Sequence, residues 1–412
     1  MAYDTSRRAG GKSEIAAALP DSVVRAIRAA CAEPDAPQAL HEPVFAGNES
    51  AYLLECVNTG WVSSVGSYVD RFEGDLAKLT GARRAVAVVN GTAALHICML
   101  LGGVKPEDEV LVPALTFVGT VNAVTYCGAI PHFVDSSEQT LGMDPEKLDA
   151  YLARAAERHP DGLRNRATGR ALRAVVPMHT YGHPVDLDPL LAVCQKYGLV
   201  LIEDAAESIG SLYKGVHTGN AGRLSALSFN GNKTVTTGGG GAVLTNDEEL
   251  GRLIKHLTTT ARLPHRWEFQ HDMVGYNYRM PNINAALGCA QLEQLPGFVR
   301  DKRALALRYA RAFGEVAGAR FFLEPPSGQS NYWLNVLLLD ADLTAQRDAV
   351  LEATNSAGLT TRPAWTLMHH LPMYASAPRM DLSVAESLAR RIINLPSGVK
   401  TARGGARKTA GP

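Results

Sequence analysis

Lys233 stands in SFNGNKTVTTGGGG, residues 228–241, a stretch without acid or proline in which one lysine is followed by four successive glycines. Most lysines occupy solvated faces and do no chemistry, so the neighbourhood has to set this one apart. A P-loop requires glycines ahead of its lysine, and here they follow it. The glycines also lack the G-x-G-x-x-G spacing that a dinucleotide needs between strand and helix. For an amine beside close-packed backbone, on a turn between two strands, covalent chemistry remains open.

Three further constellations fall at the ends of apolar runs. In VVNGTAAL (88–95) a strand ends in Asn90-Gly91-Thr92 and a helix begins. Backbone amides at a helix N-terminus attract anions, and small residues let a phosphate approach. In PALTFVGTVNAV (113–124) Phe117 follows a strand, where it either fills the core or stacks on a flat ligand ring. LIEDAAES (201–208) ends a buried run in Glu203 and Asp204, and a buried acid is costly unless it meets a cation or a donor. Phosphate cradle, ring stacker, buried carboxylate and lone lysine are together the parts of a pyridoxal phosphate site. There the acid keeps the pyridine nitrogen protonated and the lysine forms a Schiff base.

Strand ends must gather these residues. RAVAVVN, DEVLVPA, IPHFVD, RAVVPMH and GLVLIEDAA are Val/Ile/Leu-rich runs of strand length. Between them GTAALHICMLLGG, TFVGTVNAVTYCG and LDPLLAVCQKYG have helical length and end in glycine. This alternation predicts an α/β domain with a mainly parallel sheet, covered on both faces, that binds ligands beyond its C-terminal strand ends. LSALSF and GAVLTND read as two strands flanking the lysine loop. ALALRYARAFGEV (304–316) is helical and YWLNVLLLD (332–340) returns to a strand pattern. The expected organisation is an N-terminal extension over 1–40, a large domain over 41–300, a smaller C-terminal α/β domain over 301–400 and a disordered tail over 401–412. The arginine-rich segment 154–173 is read as a solvated excursion rather than a phosphate patch.

With 412 residues the chain can bury a large core. Lys plus Arg and Asp plus Glu both number 41, so no basic excess points to nucleic acid or to an anionic membrane, and a small molecule is the expected partner. The six cysteines are scattered without C-x-x-C pairs or Cys/His clusters, so no metal site is expected and the chain reads as a reduced, cytoplasmic protein. The N-terminus lacks the apolar run of a secretory signal. The uncharged stretch 114–134 contains Pro131, His132 and Asn122 and makes a poor membrane span.

Long collinear motifs add to this reading: GWVSSVGSYVDRFE, NGNKTVTTGGGG, HDMVGYNYRMPNINAALGCAQLEQL and TRPAWTLMHHLPMY. Through them the chain, from HEPVFAGNE at 41 to LPSGV near 399, resembles the DegT/DnrJ/EryC1/StrS family of pyridoxal-phosphate sugar aminotransferases. It is most similar to the branch that aminates C4 of nucleotide-linked 4-keto-6-deoxy-N-acetylhexosamines, on routes to bacillosamine- and legionaminic-acid-type sugars. The resemblance implies fold type I, the aspartate-aminotransferase-like transferase fold, and a homodimer with shared active sites.

By position, Lys233 matches the lysine that holds the cofactor covalently and Asp204 the carboxylate facing the pyridine nitrogen. Gly91, Thr92 and Ser228 match phosphate contacts, and Phe117 the ring stacker. Asn277 matches an asparagine that reaches the neighbouring subunit's cofactor phosphate. Trp61, Ser63, His183, Arg262 and His265 are implied near the substrate, although His183 and His265 read equally well as structural histidines. Two positions depart from the wider family: Glu207 stands where many members carry glutamine or histidine near the ring hydroxyl, and Gly239 replaces the glutamate of G-E-G-G. Related dehydratases carry histidine for the lysine, so Lys233 favours transamination, with L-glutamate as the implied donor. A UDP- or GDP-linked substrate, a GDP-perosamine synthase, a 3-aminotransferase and a non-catalytic cofactor-binding regulator stay open.

Overall fold

The computed structural model describes residues 11–404. Seven runs with strand-length apolar patterns form one sheet: β1 (Arg84–Val88), β2 (Glu109–Pro113), β3 (Ile130–Val134), β4 (Leu172–Val175), β5 (Val200–Asp204), β6 (Leu224–Ser228) and β7 (Gly241–Thr245). Their order across the sheet is β1-β7-β6-β5-β4-β2-β3. β7 runs antiparallel to both neighbours, whereas β6/β5, β5/β4, β4/β2 and β2/β3 are parallel. Strands such as β2, β6 and β7 are buried at every position, as expected for a sheet covered on both faces. The two runs flanking Lys233 are therefore adjacent antiparallel strands, and the lysine loop, 229–240, closes them at one end of the sheet.

Helices Gly91–Leu101, Val118–Tyr126 and Leu187–Tyr197 follow β1, β2 and β4. The first is started by Asn90, whose Oδ1 accepts the Ala93 N–H at 2.7 Å. Gly91 lies against β6, where an added Cβ would come within 2.9 Å of the Ser228 Cβ. Sequence spacing thus brings the expected phosphate residues together across two elements 137 positions apart.

A second, four-stranded sheet is built from Ala319–Phe321, Asn335–Leu339, Arg362–Pro363 and Ile392–Leu395. The long helix Asn282–Phe313 runs through the expected boundary at residue 300; it packs against Ala319–Phe321 of the second sheet, and its Ala285, Ala286 and Cys289 share a core with Leu227, Ala242 and Leu244 of the first. The segment set apart as an N-terminal extension is not peripheral. Helix Lys12–Ala30 packs Leu19, Val23, Ile27 and Ala30 into one core with Leu305, Tyr309, Phe313 and Val350. The apolar spacing of 19, 23, 26, 27 and 30 is that of a helix face that must be covered. Ile27→Ala, at a fully buried position, is expected to cost about 2–5 kcal/mol, read as a lower midpoint in denaturant unfolding.

At the other end, Thr401 and Ala402 are buried in the helix Val399–Arg403, so these residues do not belong to the expected disordered tail; the rest of that expectation, at 405–412, lies outside the described residues. In the arginine-rich segment, Arg164 pairs with Asp161, Arg166 with Glu157, Arg170 with Glu107 and Arg173 with Asp108, while Arg158 donates to the Lys196 carbonyl. These guanidinium groups are engaged within the fold, in keeping with a surface excursion. No helix among the described residues is long and apolar enough to cross a membrane.

Candidate active site

A cavity of about 340 Å³ opens where β1, β5 and β6 end, and its lining includes Gly91, Thr92, Phe117, Asp204, Glu207, Ser228 and Lys233. Each element contributes for a local reason. The helix after β1 turns its first amides toward the cavity; Asn90 takes the N–H groups of Ala93 and Ala94, so Gly91 and Thr92 stand ahead of the first intrahelical donors. Phe117 caps the helix Val118–Tyr126, and its ring is 48% exposed, which decides between its two readings: it faces the cavity and is not a core aromatic. Lys233 is held on a short turn in which its own N–H donates to the Asn230 carbonyl at 3.0 Å.

The two acids that end β5 behave differently. Glu203 points away from the cavity lining and is fully buried. It accepts the N–H groups of Gly219, Ala221 and Gly222 and lies 3.0 Å from His179 Nε2, which holds its carboxyl below the usual range despite burial. Asp204 lines the cavity, accepting Thr120 Oγ1 at 2.6 Å and the Ala206 N–H at 3.1 Å. Burial raises its carboxyl above the ordinary value because these two donors and the more distant Lys233 only partly compensate. A carboxylate has lone pairs left over after two such bonds, so a cationic N–H partner would relieve that burden.

Glu207 is buried with one oxygen 3.2 Å from Lys233 Nζ and the other accepting the Tyr181 N–H at 2.9 Å. Burial lifts its carboxyl to about 7, against the opposing pull of the Lys233 charge. Gly239, the other departure, has open space where a Cβ would stand. Asn284 donates to the carbonyls of Thr237 and Gly239 at 2.7 and 3.3 Å and so anchors the glycine loop without a glutamate.

Other expected residues are not brought to this cavity. His183 is fully buried, boxed edge-on by Phe322 at 4.8 Å and Tyr332 at 5.3 Å, and burial pushes its imidazole down to about 3. Of the two readings left open for His183, this burial is that of the structural one and not of the substrate contact. Trp61, Ser63, Arg262, His265 and Asn277 are exposed and do not line the cavity of their own chain. The Arg262 guanidinium lies 4.0 Å over the Phe269 ring, His265 Nδ1 accepts the Glu268 N–H, and Asn277 Oδ1 accepts from Arg279. His369 and His370 lie close to Glu386, outside the cavity lining.

Sequence reasoning missed Thr120, Asn232, Trp333 and Trp365, which also line the cavity. Trp365 stacks on Tyr181 at 4.7 Å and meets Phe117 edge-on at 6.4 Å. A tryptophan within TRPAWTLMHHLPMY was a usable signal, since large aromatics with a polar handle suit ligand sites. Trp333, inside an apolar run, carried none.

A mainly parallel sheet with one antiparallel strand, a smaller second sheet, and lysine, aspartate and helix N-terminus converging on one cavity define the architecture of fold type I pyridoxal-phosphate-dependent transferases. The family model for the DegT/DnrJ/EryC1/StrS aminotransferase family matches residues 44–409, and the chain belongs to that family. It is thus a pyridoxal-phosphate-dependent nucleotide-sugar aminotransferase. The GDP-perosamine synthase of Caulobacter vibrioides is 37% identical over 359 residues, covering 86% of this chain and 91% of that one. The GDP-perosamine synthase of Escherichia coli O157:H7 is 36% identical, covering 87% and 92%. Among solved structures, the aminotransferase TlmJ of Streptoalloteichus hindustanus superposes with a TM-score of 0.78 at 29% identity, over 88% of this chain and 94% of that one. The match starts at residue 44, so helix Lys12–Ala30 lies outside it.

Proposed function

We propose that the chain moves the amino group of L-glutamate to the C4 carbonyl of a nucleotide-linked 4-keto-6-deoxyhexose. The observation that carries the reading is the placement of Lys233 Nζ and the Asp204 carboxylate in one buried cavity headed by the Gly91–Thr92 helix N-terminus. When bound, pyridoxal phosphate supplies a carbonyl that captures amines and a ring that accepts an electron pair. Gly91, Thr92 and Ser228 would hold its phosphate, Phe117 would lie against its ring, Glu207 would sit near the ring hydroxyl and Asp204 would keep the ring nitrogen protonated. Lys233 would hold the group covalently, and its neutral amine, when free, would take up and return the proton. One cavity then serves two dissimilar substrates in turn, which gives ping-pong kinetics.

Two sugar classes fit. The motifs favour a UDP- or GDP-linked N-acetylhexosamine; the names of the relatives favour a second reading, the GDP-linked neutral hexose from which perosamine is made. Separate product assays with UDP-4-keto-6-deoxy-N-acetylglucosamine, its GDP-linked counterpart and GDP-4-keto-6-deoxymannose distinguish them. Amination of only the N-acetyl sugars supports the first reading, amination of only the mannose derivative supports the second, and no amination of any overturns the C4 assignment.

The working unit of this proposal is a cytoplasmic homodimer. Asn277, Arg262 and His265 are exposed beside Trp267, Phe269 and Val274, which are 67%, 75% and 84% exposed, and such an apolar surface favours burial against a second chain. There Asn277 would reach the neighbour's cofactor phosphate, while Trp61, Ser63, Arg262 and His265 meet the sugar nucleotide. Asn277→Asp sets a carboxylate against that phosphate. It is expected to weaken cofactor retention by about tenfold or more, an energy of about 1.4 kcal/mol, measured by equilibrium dialysis; unchanged retention contradicts the cross-subunit role.

A further inference from the structure

His369 and His370 close the short 3₁₀ turn Met368–His370, and Glu386 stands on the helix Ser383–Arg391. Consecutive residues of a helical turn do not normally face each other. Here the two imidazole centroids are 4.1 Å apart, and His369 Nε2 lies 3.4 Å from Glu386 Oε1. One nitrogen of each ring and one Glu386 carboxylate oxygen fall within 4.8 Å of one another. Both elements are fixed to the first sheet. The Met368 N–H donates to the Ala114 carbonyl at 3.0 Å, just beyond β2, and Asp135, just beyond β3, accepts the Val384 and Ala385 N–H groups at 3.3 and 2.8 Å. The fold nevertheless leaves the histidine pair under-bonded. His132, His179 and His217 each engage both ring nitrogens. The buried Nδ1 of His369 has no partner among the described residues, and its Nε2 makes only the long contact with Glu386. His183 also lacks polar partners, but the rings of Phe322 and Tyr332, not an acid, stand beside it.

We propose that His369, His370 and Glu386 bind one divalent transition-metal ion of the zinc type. Two imidazole nitrogens and a carboxylate oxygen are the donors of a three-ligand zinc site whose fourth position is left to water. Nitrogen ligands favour zinc, nickel or copper over magnesium and calcium, which take oxygen. Zinc holds its ligand atoms at about 2.0–2.2 Å and therefore about 3.3 Å from one another. The His369–Glu386 separation already meets that spacing. His370 is exposed, so its ring is free to turn and close the remaining gap. The charge of Arg379 also reaches His369, but that arginine is exposed and screened by water, and the Glu386 carboxylate opposes it. Histidine spacing along the chain does not reveal the set, because its acid comes from a separate helix. A bound ion would tie the segment leading from the cavity-lining Trp365 to the turn onto the helix Ser383–Arg391. None of the three residues lines the cavity, so the proposal stands apart from the reading of the reaction.

The test uses the full chain loaded with pyridoxal phosphate and freed of unbound cofactor. It is dialysed to equilibrium against zinc chloride in the presence of excess magnesium, and bound zinc is read by elemental mass spectrometry. The wild type is expected to hold one zinc ion per chain. Glu386→Gln and His370→Ala are each expected to weaken that binding by about tenfold or more, since even a residue behind a metal ligand is worth about 10–100-fold in affinity. Urea unfolding with and without zinc supplies a second readout. An ion bound to the folded chain stabilises it, so zinc raises the wild-type midpoint and does not raise that of either variant. Cofactor retention equal to that of the wild type shows that a variant has folded. Should His370→Ala or Glu386→Gln not fold, His370→Phe, which keeps a ring without a donor nitrogen, is read in its place with the same expected loss. A wild type that binds no zinc overturns the site. So does zinc bound equally well by the wild type and any folded variant, the outcome of adventitious binding to other surface histidines.

Discussion

Lys233→Ala is expected to abolish amino transfer while the protein still binds pyridoxal phosphate. Loss of the positioned amine removes both covalent attachment and the group that moves the proton, and proton transfer alone is worth about 10²–10⁴ in rate. Binding persists because Gly91, Thr92, Ser228, Phe117 and Asp204 come from other elements and do not depend on the lysine. Stopped-flow and steady-state assays with L-glutamate check the loss, and equilibrium dialysis checks the retained binding. Turnover close to the wild-type rate would remove Lys233 from the chemistry.

Asp204→Asn should be nearly as damaging for a different reason. The amide is isosteric and can keep the Thr120 bond, yet it has no charge with which to hold a ring nitrogen protonated. Removing one preorganised electrostatic partner from a buried site costs about 10²–10³ in rate. Because burial already raises the Asp204 carboxyl, the empty site is strained by that charge, so the apo-variant should unfold at a higher denaturant concentration than the wild type even as activity falls. Equal loss of activity and of stability would indicate a structural role instead.

The parts of the site carried by strand ends were legible because a parallel sheet converts chain order into proximity. Asp204 closes an apolar run, Asn90-Gly91-Thr92 opens a helix, and Lys233 sits in a glycine-rich turn; each signal is local. Trp333 was not legible: its reach over Lys233 depends on the placement of the second sheet, 100 residues further along the chain, and YWLNVLLLD read in isolation is only a strand. His183 stayed open between substrate contact and structural packing for the opposite reason, since a histidine in a loop after β4 is compatible with a ligand until Phe322 and Tyr332 are found around it. Residues 1–40 were set apart as an extension because nothing local shows what covers the apolar face of the helix Lys12–Ala30; Tyr309 and Phe313, almost three hundred residues away, do.

The most direct test is an absorbance spectrum of the protein loaded with pyridoxal phosphate, taken before and after L-glutamate and then after each 4-keto sugar nucleotide. The account predicts a visible band from lysine-bound cofactor that is lost with glutamate and restored by one of the sugar nucleotides, with neither change in Lys233→Ala. A loaded protein with no such band, or a band that Lys233→Ala retains, would contradict it.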